Sequence, residues 1–427
     1  MEAIEQADYQ YLSIGELSRL IKEKKVSPTE VVKGCLERIK RLNPTLNAFI
    51  TVTAEQALQQ AAEAEAEIKS GNWKGHLHGI PVAVKDMFDT AGIKTTAAFE
   101  HFKDRVPGKD AEVVTKLKEA GAIILGKTNM HQLAMGTTSV IGYFGAVHNP
   151  WQNDYIAGGS SGGSAAAMAA GLCYATVDTD AIGSCRLPAS CCGVIGFKPT
   201  NGVISPKGIL EGEQADETII KLASPAFMCR TVEDIATVLN VLADSDKSQS
   251  EFRADYHKAF ETTKNPRIGI VKNFKATDEV RTLFENTVQK FRSLGFATSN
   301  IYVPFESASF DVKNIEKDRN TISKTLFKDI DVLILPTTTE TTLSIEEAQK
   351  REKSKAEKDV AFPADNTFFC NYYGLPAISV PCGFSKNGLP VGLQIVGEQW
   401  NEGKVLDIAN RYQIATEWHL QHPVITN

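Results

Sequence analysis

The chain has 427 residues, of which 46 are Lys or Arg and 52 are Asp or Glu, so its formal net charge is −6. Hydrophobic residues make up 42% and charged residues 23%, a composition typical of soluble globular proteins. It excludes a disordered chain, a collagen-like fibre and a small disulfide-dense scaffold. The mildly acidic balance, with no basic stripe, argues against a nucleic-acid-binding surface.

Two features of the sequence indicate where in the cell the protein is located. Met1–Asp8 is acidic and lacks the basic and apolar regions of a secretion signal. The longest apolar stretch, Ala165–Ala175, is far shorter than the roughly 20 residues that cross a bilayer. We therefore predict a cytoplasmic protein with reduced, mostly buried cysteines. Cys185, Cys191 and Cys192 cluster, but without a nearby histidine or a Cys-x-x-Cys spacing they do not predict a metal site.

Helical patterns open the chain, and the second is the most clearly marked. Ser27-Pro28-Thr29-Glu30 offers an N-cap hydroxyl, a proline at the first helical position and a glutamate that can complete a capping box. Asn43-Pro44 is expected to end this helix. Another helix is predicted over Ala54–Ser70, before Gly71.

From Ile80 onward, short apolar runs alternate with helical stretches such as Ala111–Ala120 and Glu402–Ala415. This alternation favours an α/β fold with helices on both faces of a sheet. The predicted strands are Ile80–Val84, Ala122–Leu125, Ala175–Val177, Ile268–Val271, Asp331–Leu335, Ala377–Val380 and Val391–Val396.

The stretch from Gly121 to Thr128 matches the phosphate-loop pattern G-x-x-x-x-G-K-[ST]. A phosphate cradle requires a strand before the first glycine and a flexible loop between the two. Here a helical pattern precedes Gly121, and the intervening residues are an apolar β-type run. The match therefore does not predict nucleotide binding.

A second pattern, G-x-S-x-G, is centred on Ser160 and is typical of the nucleophile elbow of α/β-hydrolases. An elbow serine needs a histidine base, and the later candidates are His257, His419 and His422. A Gly/Ser loop that only begins a helix is the structural alternative.

A second strand-to-helix corner follows, and it carries Ser184 just ahead of Pro188. Backbone N–H groups at such a corner can form an oxyanion hole. Two serines at neighbouring corners, together with Lys85 at the end of an early strand, can form a Ser-Ser-Lys relay without histidine. The combination is a much stronger signal than any one of these residues.

These residues bring out a resemblance to a known family. Gly158–Leu172 and Asp180–Pro199 resemble the defining stretch of the amidase signature family, as do His78–Asp86, Gly374–Pro381 and Gly388–Gln394. The resemblance implies a single α/β/α domain around a large mixed sheet, with a helical region over residues 1–70 packed on an α/β core over residues 71–427. It also implies hydrolysis of an amide or similar acyl bond without a cofactor.

The resemblance also assigns the site. It implies that Ser184 is the nucleophile, that Ser160 bridges nucleophile and lysine, often through a cis peptide, and that Lys85 is the general base. Further residues are expected to form the oxyanion hole (Ala181, Ile182, Gly183, with the N–H of Ser184), to support the corner (Asp180, Arg186, Ser161) and to line the substrate pocket (Ala134, Met135, Gly136).

Some positions depart from the family pattern. Ile182 stands where the family usually has Gly or Ala, Ala181 stands where Thr is frequent, and Gln132 replaces a frequent Glu. The segment from Val303 to Ile330 is shorter than is usual in a region that helps to cover the substrate. We therefore predict a comparatively open pocket.

The leading functional prediction is a stand-alone serine hydrolase of small-molecule amides, with carbamates or esters as further substrates. It is expected to act as a monomer or homodimer with no nucleic-acid or membrane partner. The alternative is the glutaminase subunit of a tRNA-dependent amidotransferase, which works inside a complex. A non-catalytic scaffold is disfavoured because all three catalytic positions are intact.

Overall fold

The computed structural model describes residues 9–214, 216–244, 252, 255–304, 311–356 and 359–425. Met1–Asp8, on which the location prediction partly depends, lies outside the described residues. No helix within the described ranges is long and apolar enough to cross a membrane.

Within these ranges the chain alternates between strands and helices. The strands are β1 (Phe49–Val52), β2 (Pro81–Lys85), β3 (Ile123–Thr128), β4 (His148–Asn149), β5 (Gln152–Ile156), β6 (Ala175–Asp180), β7 (Ile195–Lys198), β8 (Ser224–Cys229), β9 (Arg267–Val271), β10 (Ala297–Ile301), β11 (Val332–Pro336), β12 (Ala377–Phe384) and β13 (Pro390–Gly397). The helices are α1 (Ile14–Lys22), α2 (Pro28–Leu46), α3 (Ala54–Lys69), α4 (Glu112–Glu119), α5 (Gly162–Ala169), α6 (Arg186–Cys192), α7 (Glu217–Leu222), α8 (Val232–Leu242), α9 (Asp278–Ser293), α10 (Ile315–Leu326), α11 (Ile345–Ser354), α12 (Asp365–Tyr372) and α13 (Glu402–Thr416).

Helix α2 begins where the sequence predicts but ends later. The capping box forms, since Ser27 Oγ accepts a hydrogen bond from the Glu30 N–H and the Glu30 carboxylate accepts one from the Ser27 N–H. The predicted end at Asn43-Pro44 is wrong, because the helix continues to Leu46 with Pro44 inside it. Pro44 cannot donate a backbone hydrogen bond, and burial of Leu46 and a left-handed cap at Asn47 offset the free energy that is lost with it.

Eleven strands form one mixed sheet in the order β1-β3-β2-β6-β8-β7-β12-β13-β11-β9-β10. Strands β2, β3 and β6 run parallel, as do β9, β10 and β11, and the remaining pairings are antiparallel. Every residue of the central strands β2, β6, β7, β8 and β13 is buried, so both faces of the sheet are covered. The predicted α/β fold is confirmed, and all seven predicted strands belong to this sheet.

Four strands of the large sheet were not predicted: β1, β7, β8 and β10. β7 and β8 contain Gly196 and Pro225 respectively and are buried at every position, so they lack the polar–apolar alternation of a half-exposed strand. β1 and β10 lie at the two edges of the sheet. Each becomes a strand by pairing with its one neighbouring strand, and its own sequence does not predict this.

The stretch that resembles a phosphate loop is part of the sheet. β3 runs through Gly126, Lys127 and Thr128, and these residues pair with β1. The Lys127 side chain is fully buried, and its ammonium group donates to the Phe88 carbonyl oxygen. As the apolar run between the glycines indicates, no free loop is present to surround a phosphate.

The predicted site lies at the carboxyl ends of two neighbouring strands. Strands β2 and β6 are parallel, with Val84 opposite Val177, so their carboxyl ends lie side by side. Lys85 is the last residue of β2, and Asp180 is the last residue of β6. The chain turns after Asp180 into the corner that carries Ser184.

Candidate active site

Lys85 lies at the centre of the site with a fully buried side chain. Its Nζ donates hydrogen bonds to Ser160 Oγ at 2.7 Å and to Thr179 Oγ1 at 2.9 Å. Burial lowers the pKa of Lys85 to about 8, although the Asp178 carboxylate acts in the opposite direction. A lysine in this state loses its proton much more readily than a lysine in water.

The loop that carries Ser160 is tightly enclosed. The peptide bond between Gly159 and Ser160 is cis. The Ser160 carbonyl accepts a hydrogen bond from the His131 N–H at 2.9 Å. A Cβ at residue 159 would lie 2.6 Å from the Thr137 and Thr138 backbone, so only glycine fits there. This packing holds the Ser160 hydroxyl against Lys85.

The second corner is joined to the first through the backbone. The Ser161 N–H donates to the Ser184 carbonyl oxygen at 3.2 Å, and Ser184 is 3% exposed. Gly183 has a φ of 130°, and a Cβ there would lie 2.4 Å from Thr367 Oγ1. Glycine is therefore required by both conformation and space. The structure thus brings Lys85, Ser160 and the Ser184 corner to one place.

Asp180 and Arg186 form the buried support of this corner. The Asp180 carboxylate accepts from the Gly183 N–H at 2.8 Å and from Arg186 Nε and Nη2, each at 2.9 Å. Arg186 also donates to the Thr367 carbonyl oxygen and to the Asn371 and Gln394 side chains. Burial alone would raise the pKa of Asp180, but the Arg186 guanidinium holds it well below its usual range.

The predicted oxyanion donors differ in their availability. The Gly183 N–H is already engaged by Asp180. The N–H groups of Ala181, Ile182 and Ser184 donate to no protein group among the described residues. The Ile182 carbonyl accepts from Thr367 Oγ1 at 2.5 Å, which fixes the adjoining peptide plane.

The predicted pocket residues lie on a loop tethered to Ser160 through His131. Ala134 is half-buried, whereas the Met135 side chain is 60% exposed. Gly136 is buried, and a Cβ there would lie 2.2 Å from the His131 ring. Part of the short segment behind the open-pocket prediction, residues 305–310, lies outside the described residues.

Two contributors to the site were missed by the sequence reasoning. Thr179 accepts a hydrogen bond from Lys85 and donates one to Met87 Sδ at 3.2 Å, so its oxygen lone pairs face the lysine. Asp178 is a fully buried carboxylate beside Lys85 on the neighbouring strand. The signal that could have found both is the run of three polar residues, Asp178-Thr179-Asp180, at the end of a fully buried strand.

The histidines proposed for an elbow serine lie elsewhere. His257 is hydrogen-bonded to Thr237 Oγ1 at 3.1 Å, while His419 and His422 line a small cavity with Arg230. Within the described chain, the side chain that hydrogen-bonds Ser160 Oγ is Lys85. The described residues also contain no group of three or more His, Cys, Asp or Glu that could hold a metal ion.

Comparison with known proteins identifies close relatives. The A subunit of glutamyl-tRNA(Gln) amidotransferase from Acinetobacter baumannii is 34% identical over 498 residues, covering 98% of this chain and 99% of the relative. The crystal structure of the corresponding subunit from Thermotoga maritima superposes with a TM-score of 0.79 at 26% identity, covering 98% of this chain and 99% of that one.

These relatives overturn the partner prediction. The expectation of a monomer or homodimer with no nucleic-acid partner is wrong, because relatives that match nearly the whole chain are subunits of an enzyme named for glutamyl-tRNA(Gln). The physical reason for the error is that net charge averages over the whole surface. An average cannot reveal a local surface that binds another protein.

One comparison shows the fold and two show the family. Native peptide amidase from Stenotrophomonas maltophilia shares the fold with a TM-score of 0.84 at 24% identity, covering 98% of this chain and all of that one. The family model described as Amidase matches residues 30–314 and 306–406. These two segments overlap at residues 306–314. The matches, together with the 34% identity to curated relatives, place the chain in the amidase signature family of hydrolases.

Proposed function

We propose that this chain hydrolyses an amide C–N bond through an acyl-enzyme on Ser184, with Ser160 as the proton bridge and Lys85 as the general base. The observation that carries the proposal is the buried 2.7 Å contact between Lys85 Nζ and Ser160 Oγ. The backbone hydrogen bond from Ser161 to Ser184 supports it, because it ties the second serine to the same corner.

The proposed acylation begins with neutral Lys85. Thr179 Oγ1 accepts one Nζ–H, which leaves the nitrogen lone pair free to accept the Ser160 proton. Ser160 Oγ then takes the proton of Ser184 as Ser184 Oγ bonds to the substrate carbonyl carbon and the carbonyl electron pair moves to oxygen. When the tetrahedral intermediate collapses, the C–N bond breaks and the proton passes back through Ser160 to the leaving amine. Water then hydrolyses the acyl-enzyme.

The developing oxyanion is proposed to bind the N–H groups of Ala181, Ile182 and Ser184, since Gly183 donates to Asp180. Branching at Ile182 affects the side chain and leaves its N–H intact. Asp180 and Arg186 are proposed to keep the corner rigid, and the loop over Ala134–Gly136 is proposed to contact the part of the substrate next to the scissile bond.

The test uses substitution and active-site labelling. Ser184→Ala should abolish amide hydrolysis and labelling by a fluorophosphonate, while the wild type should be labelled on Ser184. Ser190→Ala is the matched control, because Ser190 is also a buried serine after β6 but its Oγ accepts from the Gly392 N–H. Labelling of Ser160 in the Ser184→Ala protein would contradict the assignment and support the elbow interpretation.

A second candidate function is favoured by the curated relatives. Identity of 34% over 98% of this chain and 99% of the relative supports a role as the glutaminase subunit of a tRNA-dependent amidotransferase. In this role the amide substrate is glutamine, and the chemistry at Ser184 is unchanged. Co-purification with other subunits, and glutamine hydrolysis stimulated by them, would support it. Rapid hydrolysis of aryl amides, aliphatic amides or carbamates by the isolated chain, without such stimulation, would favour a self-sufficient amidase.

A further inference from the structure

Asp178 and Lys85 are neighbours across two parallel strands. Val84 of β2 lies opposite Val177 of β6, so the next residue of each strand, Lys85 and Asp178, comes at the same level of the sheet. Side chains directly opposite each other on adjacent strands point to the same face. The register therefore places the carboxylate beside the lysine.

The Asp178 carboxylate is buried with few hydrogen bonds. Its side chain is fully buried, and Oδ2 accepts a hydrogen bond from Thr176 Oγ1 at 2.6 Å. Oδ1 has no hydrogen-bond partner among the described protein groups, and neither has the buried Ser161 Oγ. An ionised carboxylate in such surroundings is costly unless a cation compensates it. Lys85 is the cation whose charge acts on it.

The groups around the pair leave Lys85 as the principal counter-charge. Burial raises the pKa of Asp178 to about 6, while the charge of Lys85, and after it the hydrogen bond from Thr176, act to lower it. Other titratable groups also interact electrostatically with the pair. Lys85 interacts with Asp180, Cys185 and His131, and Asp178 interacts with Cys173 and Cys229. Arg186 compensates Asp180, and burial lowers the pKa of His131 to about 4, so that ring is neutral near pH 7.

We propose that Asp178 is the charge partner of Lys85, a positioning residue whose carboxylate stabilises the ammonium group that forms on Lys85 when Ser160 transfers its proton. This inference rests on the proposed function. In the step concerned, the Ser160 O–H bond breaks, an N–H bond forms on Lys85, and Asp178 remains ionised without taking up a proton. Its part resembles that of the aspartate behind a catalytic histidine, with lysine in place of the imidazole.

The proposal predicts two linked effects of removing the charge. Without the carboxylate the ammonium form of Lys85 is less stable, so Lys85 loses its proton at lower pH and the rate profile moves toward acid. An opposite charge nearby typically shifts a pKa by about one to three units, and we expect a shift of about one unit or more. At high pH, where Lys85 is neutral in both proteins, the variant should be severalfold slower because its lysine is the weaker base.

The experiment measures the rate constant for labelling of Ser184 by a small alkyl fluorophosphonate between about pH 6 and about pH 10. Asp178→Asn and Asp178→Ser both remove the charge, and either variant that retains the native circular dichroism spectrum provides the test. Asp234→Asn is the matched control. Asp234 is equally buried, with Oδ1 accepting from the Ile14 N–H at 2.8 Å and Oδ2 lacking a partner among the described groups, but it lies on α8.

An acid shift with a lower plateau in the Asp178 variants, and an unchanged profile in Asp234→Asn, is the expected result. Folded Asp178 variants with the wild-type midpoint and plateau would overturn the inference and leave the proposed function standing. Failure of the proposed function is a separate result: either the wild type is not labelled on Ser184, or Lys85→Ala keeps the wild-type pH profile.

Discussion

At the scale of the residue, the proposed chemistry depends on the single amine of Lys85. A lysine in water has a pKa near 10.4 and is almost entirely protonated at neutral pH. Burial among hydroxyl groups lowers the pKa of Lys85 to about 8, so about one lysine in ten is neutral at pH 7. In the proposed mechanism this neutral fraction accepts the proton of the nearby serine hydroxyls without a histidine.

The pH dependence of the reaction follows from this shift. Because the base must be neutral, kcat/KM should rise with pH through a midpoint of about 8 and level off above it. Lys85→Ala should lower the rate by a factor of about 10²–10⁴ and remove this dependence. Initial rates measured across the pH range with the best substrate of an amide panel provide the check. A midpoint below about 7 that survives Lys85→Ala would contradict the assignment, since it would indicate a histidine.

The orientation of the amine depends on Thr179. Its hydroxyl donates to Met87 Sδ and therefore presents lone pairs to Lys85, so one Nζ–H is used there. Thr179→Val retains the shape of the side chain but removes this acceptor. We expect the rate above pH 8 to fall about tenfold, roughly the value of one oriented hydrogen bond. Thr237→Val is the control, because Thr237 bonds the distant His257. Equal losses in the two variants would contradict a specific role for Thr179.

At the scale of the element, the corner between β6 and α6 depends on a buried ion pair. Arg186 donates to Asp180 and to groups in α12 and β13, so it connects the corner to the following layers. Removing one member of a buried pair leaves the other charge uncompensated. The corner is therefore more sensitive to substitution than its short length suggests.

Arg186→Met should lower the free energy of unfolding by about 3–5 kcal/mol, because Asp180 would remain buried without its partner. Urea denaturation followed by circular dichroism measures the change. Lys94→Met, which removes one member of the exposed Lys94–Asp104 pair, should have little measurable effect. A loss in Arg186→Met as small as that of the surface variant would mean that the pair contributes little to the corner.

The start of α2 offers a local test of a sequence signal. Ser27→Ala removes the Oγ that accepts from the Glu30 N–H at 3.1 Å and should lower the free energy of unfolding by about 1 kcal/mol. Ser27→Thr, which keeps a capping oxygen, should restore most of the loss. Equal destabilisation by both substitutions would show that packing rather than capping determines the effect.

At the scale of the whole molecule, the reactivity of the cysteine thiols measures how well the core excludes reagents. All eight cysteines are buried and unpaired, and burial raises the pKa of Cys35, Cys191 and Cys382 to about 12. The native protein should therefore react with almost no thiol reagent near pH 7, and denaturant should release eight reactive thiols. Titration with a chromogenic disulfide reagent measures both states. Rapid reaction of several native thiols would contradict the closed core.

Sequence predicted seven of the eleven strands of the sheet, because these strands are apolar runs bounded by helical patterns. It was less successful where the local signal is weak, as at β8 with its internal Pro225, or where packing outweighs a local stop signal, as at Pro44 in α2. Composition did not favour the subunit alternative over a stand-alone enzyme, since composition describes the average surface.

The sequence by itself determined the α/β class, the two serine corners and the family, because these depend on local patterns and on motifs that are read along the chain. Only the tertiary structure decided that Lys85 is buried against Ser160, that it donates a hydrogen bond to Thr179 and that Asp178 lies beside it. The reason is physical. The protonation of a buried amine depends on its desolvation and on charges brought close by parallel pairing of β2 and β6, whose residues are more than 90 positions apart in the chain.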